Sequence, residues 1–223
     1  MHVHVPDVAS SLAPVSPTAA PAFPPIPNND KPPTDGRIAR SHRTIEHIIH
    51  ALLDLLERDG DLRPTAHQVA LRAGVSRRAL YLHFDSLEAL FAAATERRVA
   101  EEFAAWQPPG SATPVGDRID WFVRQWASLL EALLPLRRAA AIHEPFSHQV
   151  SATLDRTRQW AREAVERTFE AELSAVPADE REALATALMH ATSSSAWDDL
   201  RRQGADVAQA REAMDTLLRA LLT

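Results

Sequence analysis

From Arg40 onward, apolar positions recur every three or four residues. Ile45, Ile48, Ile49, Leu52, Leu53 and Leu56 share one face, which predicts an amphipathic helix ending near Arg58-Asp59-Gly60. Arg63-Pro64 then forces an extended break, because the proline ring excludes helical backbone from its predecessor. Thr65 with Gln68 three residues on forms a capping box that starts a second helix, whose apolar side is Val69, Ala70 and Ala73. Gly74 stands where left-handed backbone would stop that helix, and Ser76 can cap a third one through Leu80 to Phe84.

Asp85-Ser86 opens a fourth helix, Leu87 to about Trp106, which Gln107-Pro108-Pro109-Gly110 ends. The pattern then predicts a helix from Asp117 to about Arg138, a segment broken at Pro145, and a long helix from about His148 to Leu173. Pro177 with Asp179 and Glu180 starts another, running to about Gln203, and Asp206 caps a last one reaching Leu222. No stretch alternates at period two for long enough to make a strand, so the expected class is all-α.

Composition changes the picture at the start of the chain. Nine of the 16 prolines lie in residues 1–36, interleaved with Ala, Ser and Thr and without a core-forming period. This leader is expected to be disordered, and its few cations suit a tether better than a DNA contact. Prolines interrupt every apolar run there and no Lys or Arg precedes Lys31, so it does not read as a signal peptide. No 18-residue apolar stretch and no cysteine occur, and a soluble cytoplasmic protein is the expectation.

The formal charge of -6 is unevenly divided. Residues 37–100 hold ten Lys/Arg against eight Asp/Glu, and five of the ten histidines, whereas residues 101–223 hold thirteen against nineteen. One end therefore suits an acidic ligand or nucleic acid, and the other does not.

The two short helices around Gly74 match a helix-turn-helix, whose second helix lies in the major groove. Ala70 is small enough for the helices to cross closely, and Val75 with Leu80 plugs the space between them. Arg77, Arg78, Tyr81 and Leu82 are left on the outer face. Arginine forks two hydrogen bonds onto guanine O6 and N7, while Tyr81 and His83 are better placed for phosphate oxygens. The competing readings are a solvated charged face for the arginines and a half-buried packing role for Tyr81, the only tyrosine.

Leu62 to Leu90 resembles the N-terminal domain of TetR-type transcriptional regulators. The likeness rests on Thr65, Val69-Ala70, Ala73-Gly74-Val75-Ser76, Leu80-Tyr81, His83-Phe84, Ser86 and Glu88-Ala89-Leu90, that is, AGVS followed by LYxHF. The resemblance implies a homodimer that binds a palindromic double-stranded operator, usually as a repressor, and releases it when a small molecule enters the C-terminal domain. It places Thr65, Arg77, Arg78, Tyr81 and His83 at DNA-contact positions, and His67 where some members have a contacting side chain. Ser76, at the head of the same helix, is grouped with them. Ala79 departs from a frequent Ser or Thr, and Leu87 from a common phosphate-facing lysine. The implied division is a leader (1–36), a three-helix DNA-binding domain (37–85) and a helical effector-binding and dimerisation domain (86–223), whose first helix, 86–106, connects the two.

Such a regulator needs a surface for its twin. Ala191 to Ala196 is a run of small side chains that would let another helix approach closely. Leu184, Leu188, Ala191 and Ser195 share a face there, as do Met214, Leu217, Leu218 and Leu221 in the last helix. Pairing these helices with their copies would give a four-helix interface, against the alternative of packing within the chain.

It also needs a cavity. Trp121, Phe122, Trp126, Phe146 and Trp160 occupy the segments that would enclose one, and His143, Glu144 and His190 could orient a small, apolar or aromatic effector. Aromatics at helical spacing are otherwise core. His47 and His50 sit three apart beside Glu46 but lack an obvious third metal ligand, so no metal or cofactor is expected.

No nucleophile elbow, phosphate-binding glycine loop or paired-histidine metalloprotease motif occurs, which weighs against an enzyme. The remaining rival is an all-α ligand-binding protein or adaptor with weak or no DNA binding, favoured by apolar Leu82 and Leu87 at positions facing the duplex.

Overall fold

The computed structural model of the chain describes residues 36–103 and 106–223. The expected disorder of the leader lies outside those residues, except that Gly36 opens the first helix. Ten α-helices are described, with no strand among the described residues: α1 (Gly36–Glu57), α2 (Ala66–Arg72), α3 (Arg77–His83), α4 (Leu87–Phe103), α5 (Val115–His143), α6 (His148–Thr168), α7 (Glu170–Ala175), α8 (Ala178–Ala191), α9 (Ser194–Arg202) and α10 (Val207–Leu222). The all-α expectation holds.

The stripe on α1 is buried as the pattern requires, with Ile48 and Leu52 wholly enclosed. It packs on α2 and on α4, and α4 in turn lies against α5 and α6. One continuous apolar core runs from Ile48 and Leu80 in the head, through Leu90, Phe91 and Ala94 of α4, to Phe122, Trp126 and Leu218 in the body. α4 is therefore shared by both regions. Ion pairs Arg98–Glu57 and Arg97–Glu46 (3.3 Å) bind it to α1, and Arg156–Glu96 (2.5 Å) binds it to α6.

Three long helices depart from the expected boundaries. α5 continues past Arg138 to His143 although Pro135 lies inside it, and Glu144–Phe146 form a 3₁₀ turn. Proline removes one intrahelical donor, but Leu133, Leu134 and Leu136 around it are buried, and their packing holds the helix together.

The helix expected from His148 to Leu173 breaks at Phe169, and the one expected from Pro177 to Gln203 breaks at Thr192-Ser193. Each break strands carbonyl groups that need donors. α5 supplies both: the guanidinium of Arg118 donates to the Thr168 carbonyl (3.2 Å), and Trp126 Nε1 donates to the Thr192 carbonyl (2.7 Å). Arg118 is 2% exposed and also pairs with Glu172 in the first turn of α7. Ser193 then accepts from the Ala196 amide (3.1 Å) and starts α9. The small-residue run 191–196 is thus a corner between helices and not one continuous close-packing face.

Candidate nucleic-acid interface and effector cavity

The head is built by local rules. Thr65 accepts from the Gln68 amide (3.3 Å) and its own amide donates to Gln68 Oε1 (2.8 Å), closing the capping box at the start of α2. Gln68 also donates to Asp61 (3.0 Å), which pins the preceding loop to the helix. Gly74 adopts φ 68, backbone that costs an L side chain about 1–2 kcal/mol, and its neighbour Val75 donates to the Ala70 carbonyl (3.0 Å). Ser76 accepts from the Ala79 amide (3.1 Å) and opens α3. Val69, Ala70 and Leu80 are buried where the two helices cross, with Ala73 and Val75 packed against them.

The outer face of α3 carries Arg77, Arg78, Tyr81 and Leu82. Arg77 and Tyr81, and likewise Arg78 and Leu82, are four residues apart and so stand beside each other along the helix. Both arginines are exposed, and neither makes a hydrogen bond or ion pair with another described residue. Tyr81 is 44% exposed. His67 is exposed on α2, and His83 is half-buried at the end of α3.

The hydroxyls of Thr65 and Ser76 are already engaged in the two caps. Arg72, nearby, is occupied by Asp59 and Asp54 (4.0 Å). Leu71 and Leu82 are 74% and 81% exposed, a pair of apolar side chains on the same head.

The body holds a partly open, mostly apolar cavity of about 390 Å³. Trp126 and Trp160 stack on one another there, 5.9 Å between ring centres and 5° between planes. Leu129, Leu130 and Leu133 of α5 and Met189 of α8 continue the wall, and Thr157, His190 and the α8–α9 corner complete it. Of the side chains expected at a cavity, Trp126, Trp160 and His190 meet in this one.

The other five do not. Phe122 is fully enclosed in the core, stacked on Trp126. Trp121 packs edge-on against Trp106 on another side of α5. His143 lies against Phe91 of α4, with its Nε2 buried and unpartnered, and Phe146 is 90% exposed on the 3₁₀ turn. Glu144, beside it, is tied to Arg158 (2.6 Å). Aromatic type alone did not separate core, surface and cavity, because each depends on which face of the helix meets a neighbour.

Sequence reasoning also missed Arg137, which lines the cavity from α5. Trp126, Leu130, Leu133 and Arg137 follow at four, three and four residues on one helical face, a spacing that was readable. Burial and the nearby Arg158 guanidinium lower the pKa of Arg137, with Glu144 acting in the opposite direction.

The expected subunit surface is divided in the same way. Leu188, Met214 and Leu218 are at most 3% exposed within one chain, so each is part of its core. Ala191 is buried and faces a groove shared with Trp197, Met214 and Leu217. Leu217 remains 49% exposed, Ser195 is exposed, and Leu184 and Leu221 lie half-buried at the edge of the core.

His47 and His50 are both exposed on α1, and among the described residues no group of three or more His, Asp or Glu converges as a metal site. No described helix is long and apolar enough to cross a membrane.

Together, the architecture is a helix-turn-helix head and an all-helical body that share α4. Residues 48–94, which include AGVS and LYxHF, match the family model of bacterial regulatory proteins, tetR family. The fold is that of solved structures of such proteins. A TetR-family transcriptional regulator from Mesorhizobium loti MAFF303099 superposes with a TM-score of 0.62 at 18% identity, over 82% of this chain and 96% of that one. One from a Rhodococcus species gives 0.60 at 16% identity, over 82% of this chain and 100% of that one. A transcriptional regulator from Rhodococcus sp. Rha1 gives 0.60 at 19% identity, over 80% and 95%. No curated protein matches the chain. The chain has the TetR-family transcriptional regulator fold.

Proposed function

We propose that the protein is a ligand-responsive, DNA-binding transcriptional regulator that acts in the cytoplasm as a homodimer, binds a palindromic operator, and represses until a small apolar or aromatic effector enters the body. The observation that carries this reading is the unspent pair Arg77 and Arg78 at the head of α3, exposed side by side with Tyr81 one turn on. Arginines that neighbouring carboxylates have not neutralised keep their forked donors for a partner, and guanine in the major groove fits that fork. His67, His83 and the helix starts at Thr65 and Ser76 then set register on phosphates. The functional division is a head over 37–85 and a body over 86–223, joined by α4.

The exposed Leu217 and Ser195, with Leu184 and Leu221, are the part of the predicted surface left for a second subunit. α8 and α10, which pack on each other within the chain, would present it. Effector release follows if filling the cavity shifts α5 and α6, because both pack on α4 and α4 packs on the head.

The second reading, an effector-binding protein that reads DNA weakly or not at all, is favoured by Leu82, 81% exposed beside Arg78 on the face that would meet a duplex.

Duplex binding measured against salt separates the two. The regulator reading expects retained operator fragments to be released steeply as salt rises, with Arg77→Ala weakening the specific site by about 1–3 kcal/mol and relaxing base preference at one position per half-site. Indifference of both affinity and preference to Arg77→Ala and Arg78→Ala would leave the second reading standing.

A further inference from the structure

The cavity of the body is apolar along most of its length and carries one cation with no bonded counter-ion. Trp126, Leu130, Leu133 and Arg137 lie in register along α5, so the wall from tryptophan to arginine extends about 16 Å at 1.5 Å per residue. The two cations that line it differ in their commitments. Arg158 is held by Glu144 (2.6 Å) and by Asp155 (2.5 Å), which occupy its fork. Arg137 is half-buried and makes no hydrogen bond or ion pair with any described residue.

A guanidinium stays charged under all ordinary conditions, so an unpaired and partly desolvated one is a standing cost in the free protein. Glu144 offsets that cost only at a distance, because its carboxylate is bonded to Arg158. A ligand carboxylate accepting two parallel hydrogen bonds would remove it.

We propose that the cavity takes an amphipathic monoanion: an elongated apolar body lying along Leu130 and Leu133 against the stacked tryptophans, and a carboxylate forked by Arg137. The inference rests on the reading of this cavity as the effector site and narrows its ligand from apolar to apolar with one negative end. A monoanion suits the site better than a phosphate dianion, since only one of the two guanidiniums is free.

The test uses the full chain, decanoate below its micellar range, 1-decanol below its solubility limit, and tryptophan fluorescence, because Trp126 and Trp160 form the wall. Decanoate is expected to quench saturably and to bind at least tenfold more tightly than the alcohol. Arg137→Gln should abolish that preference while leaving the alcohol's affinity within about twofold, and Arg137→Lys should retain part of it. An unchanged thermal midpoint shows that the variants are folded.

Equal binding of the two probes, no saturable quenching by decanoate, or an Arg137→Gln protein that still prefers the anion each overturns the proposal. Decanoate that binds through Arg137 without changing duplex affinity would remove the regulatory reading and leave the anion site intact. An alcohol that releases DNA as well as the acid does would do the reverse.

Discussion

The head and the body are both made of short and medium helices, yet they are held by different physics. In the head, α2 and α3 are seven residues each, below the length at which an isolated helix is stable, and both begin at a side-chain cap. The bonds that place them, from Thr65 to Gln68 and from Ser76 to Ala79, span three residues. In the body, the interactions that place the breaks span about 50 residues or more: Arg118 to Thr168 and Glu172, and Trp126 to Thr192. The lesson is that a helix-turn-helix can be specified locally, whereas a cavity cannot, since its walls come from helices distant in sequence.

Arg118→Met should have the largest effect on this contrast. It strands the Thr168 carbonyl and leaves Glu172 without its partner; losing one member of a buried pair costs about 3–5 kcal/mol. The lower end is expected because Glu172 keeps 18% of its side chain exposed. Urea unfolding measures it, and since one core crosses both regions, head and body should lose stability in a single transition. Separate transitions would mean that the shared core does not couple them.

Gly74→Ala comes next, at about 1–2 kcal/mol, from left-handed backbone alone. A Cβ built there meets nothing within 4 Å, so no steric clash adds to it. The readout is the stability of the head together with duplex affinity; a neutral result would show that the turn relaxes without cost. Thr65→Ala is the smallest, about 1 kcal/mol for the loss of an N-cap. Amide exchange in α2 should quicken more than in α5, and equal acceleration in both would contradict the local character of the head.

The same division decides how much could be read from the chain. Val69, Ala70, Gly74 and Leu80 announce the helix-turn-helix because each occupies a position whose geometry admits few residue types, and the resemblance followed from them. The cavity was half readable. Trp126, Trp160 and His190 line it, but residue type groups Phe122, Trp121, His143 and Phe146 with them and does not single out Arg137. Leu188, Met214 and Leu218 show the same limit, because an apolar face says that something covers it and not whether the cover is the same chain or another.

The amino-acid order alone determined the α-helical periodicity, the caps at Thr65, Ser76 and Asp206, and the arginines at the head of α3. These depend on backbone geometry and on neighbours within one turn. Only the tertiary structure decided that α6 and α8 end where they do, that Pro135 is carried inside α5, and that one arginine faces a cavity without a bonded counter-ion. Those outcomes depend on which donors and which apolar faces arrive from elsewhere, and packing can outweigh local preference by several times RT.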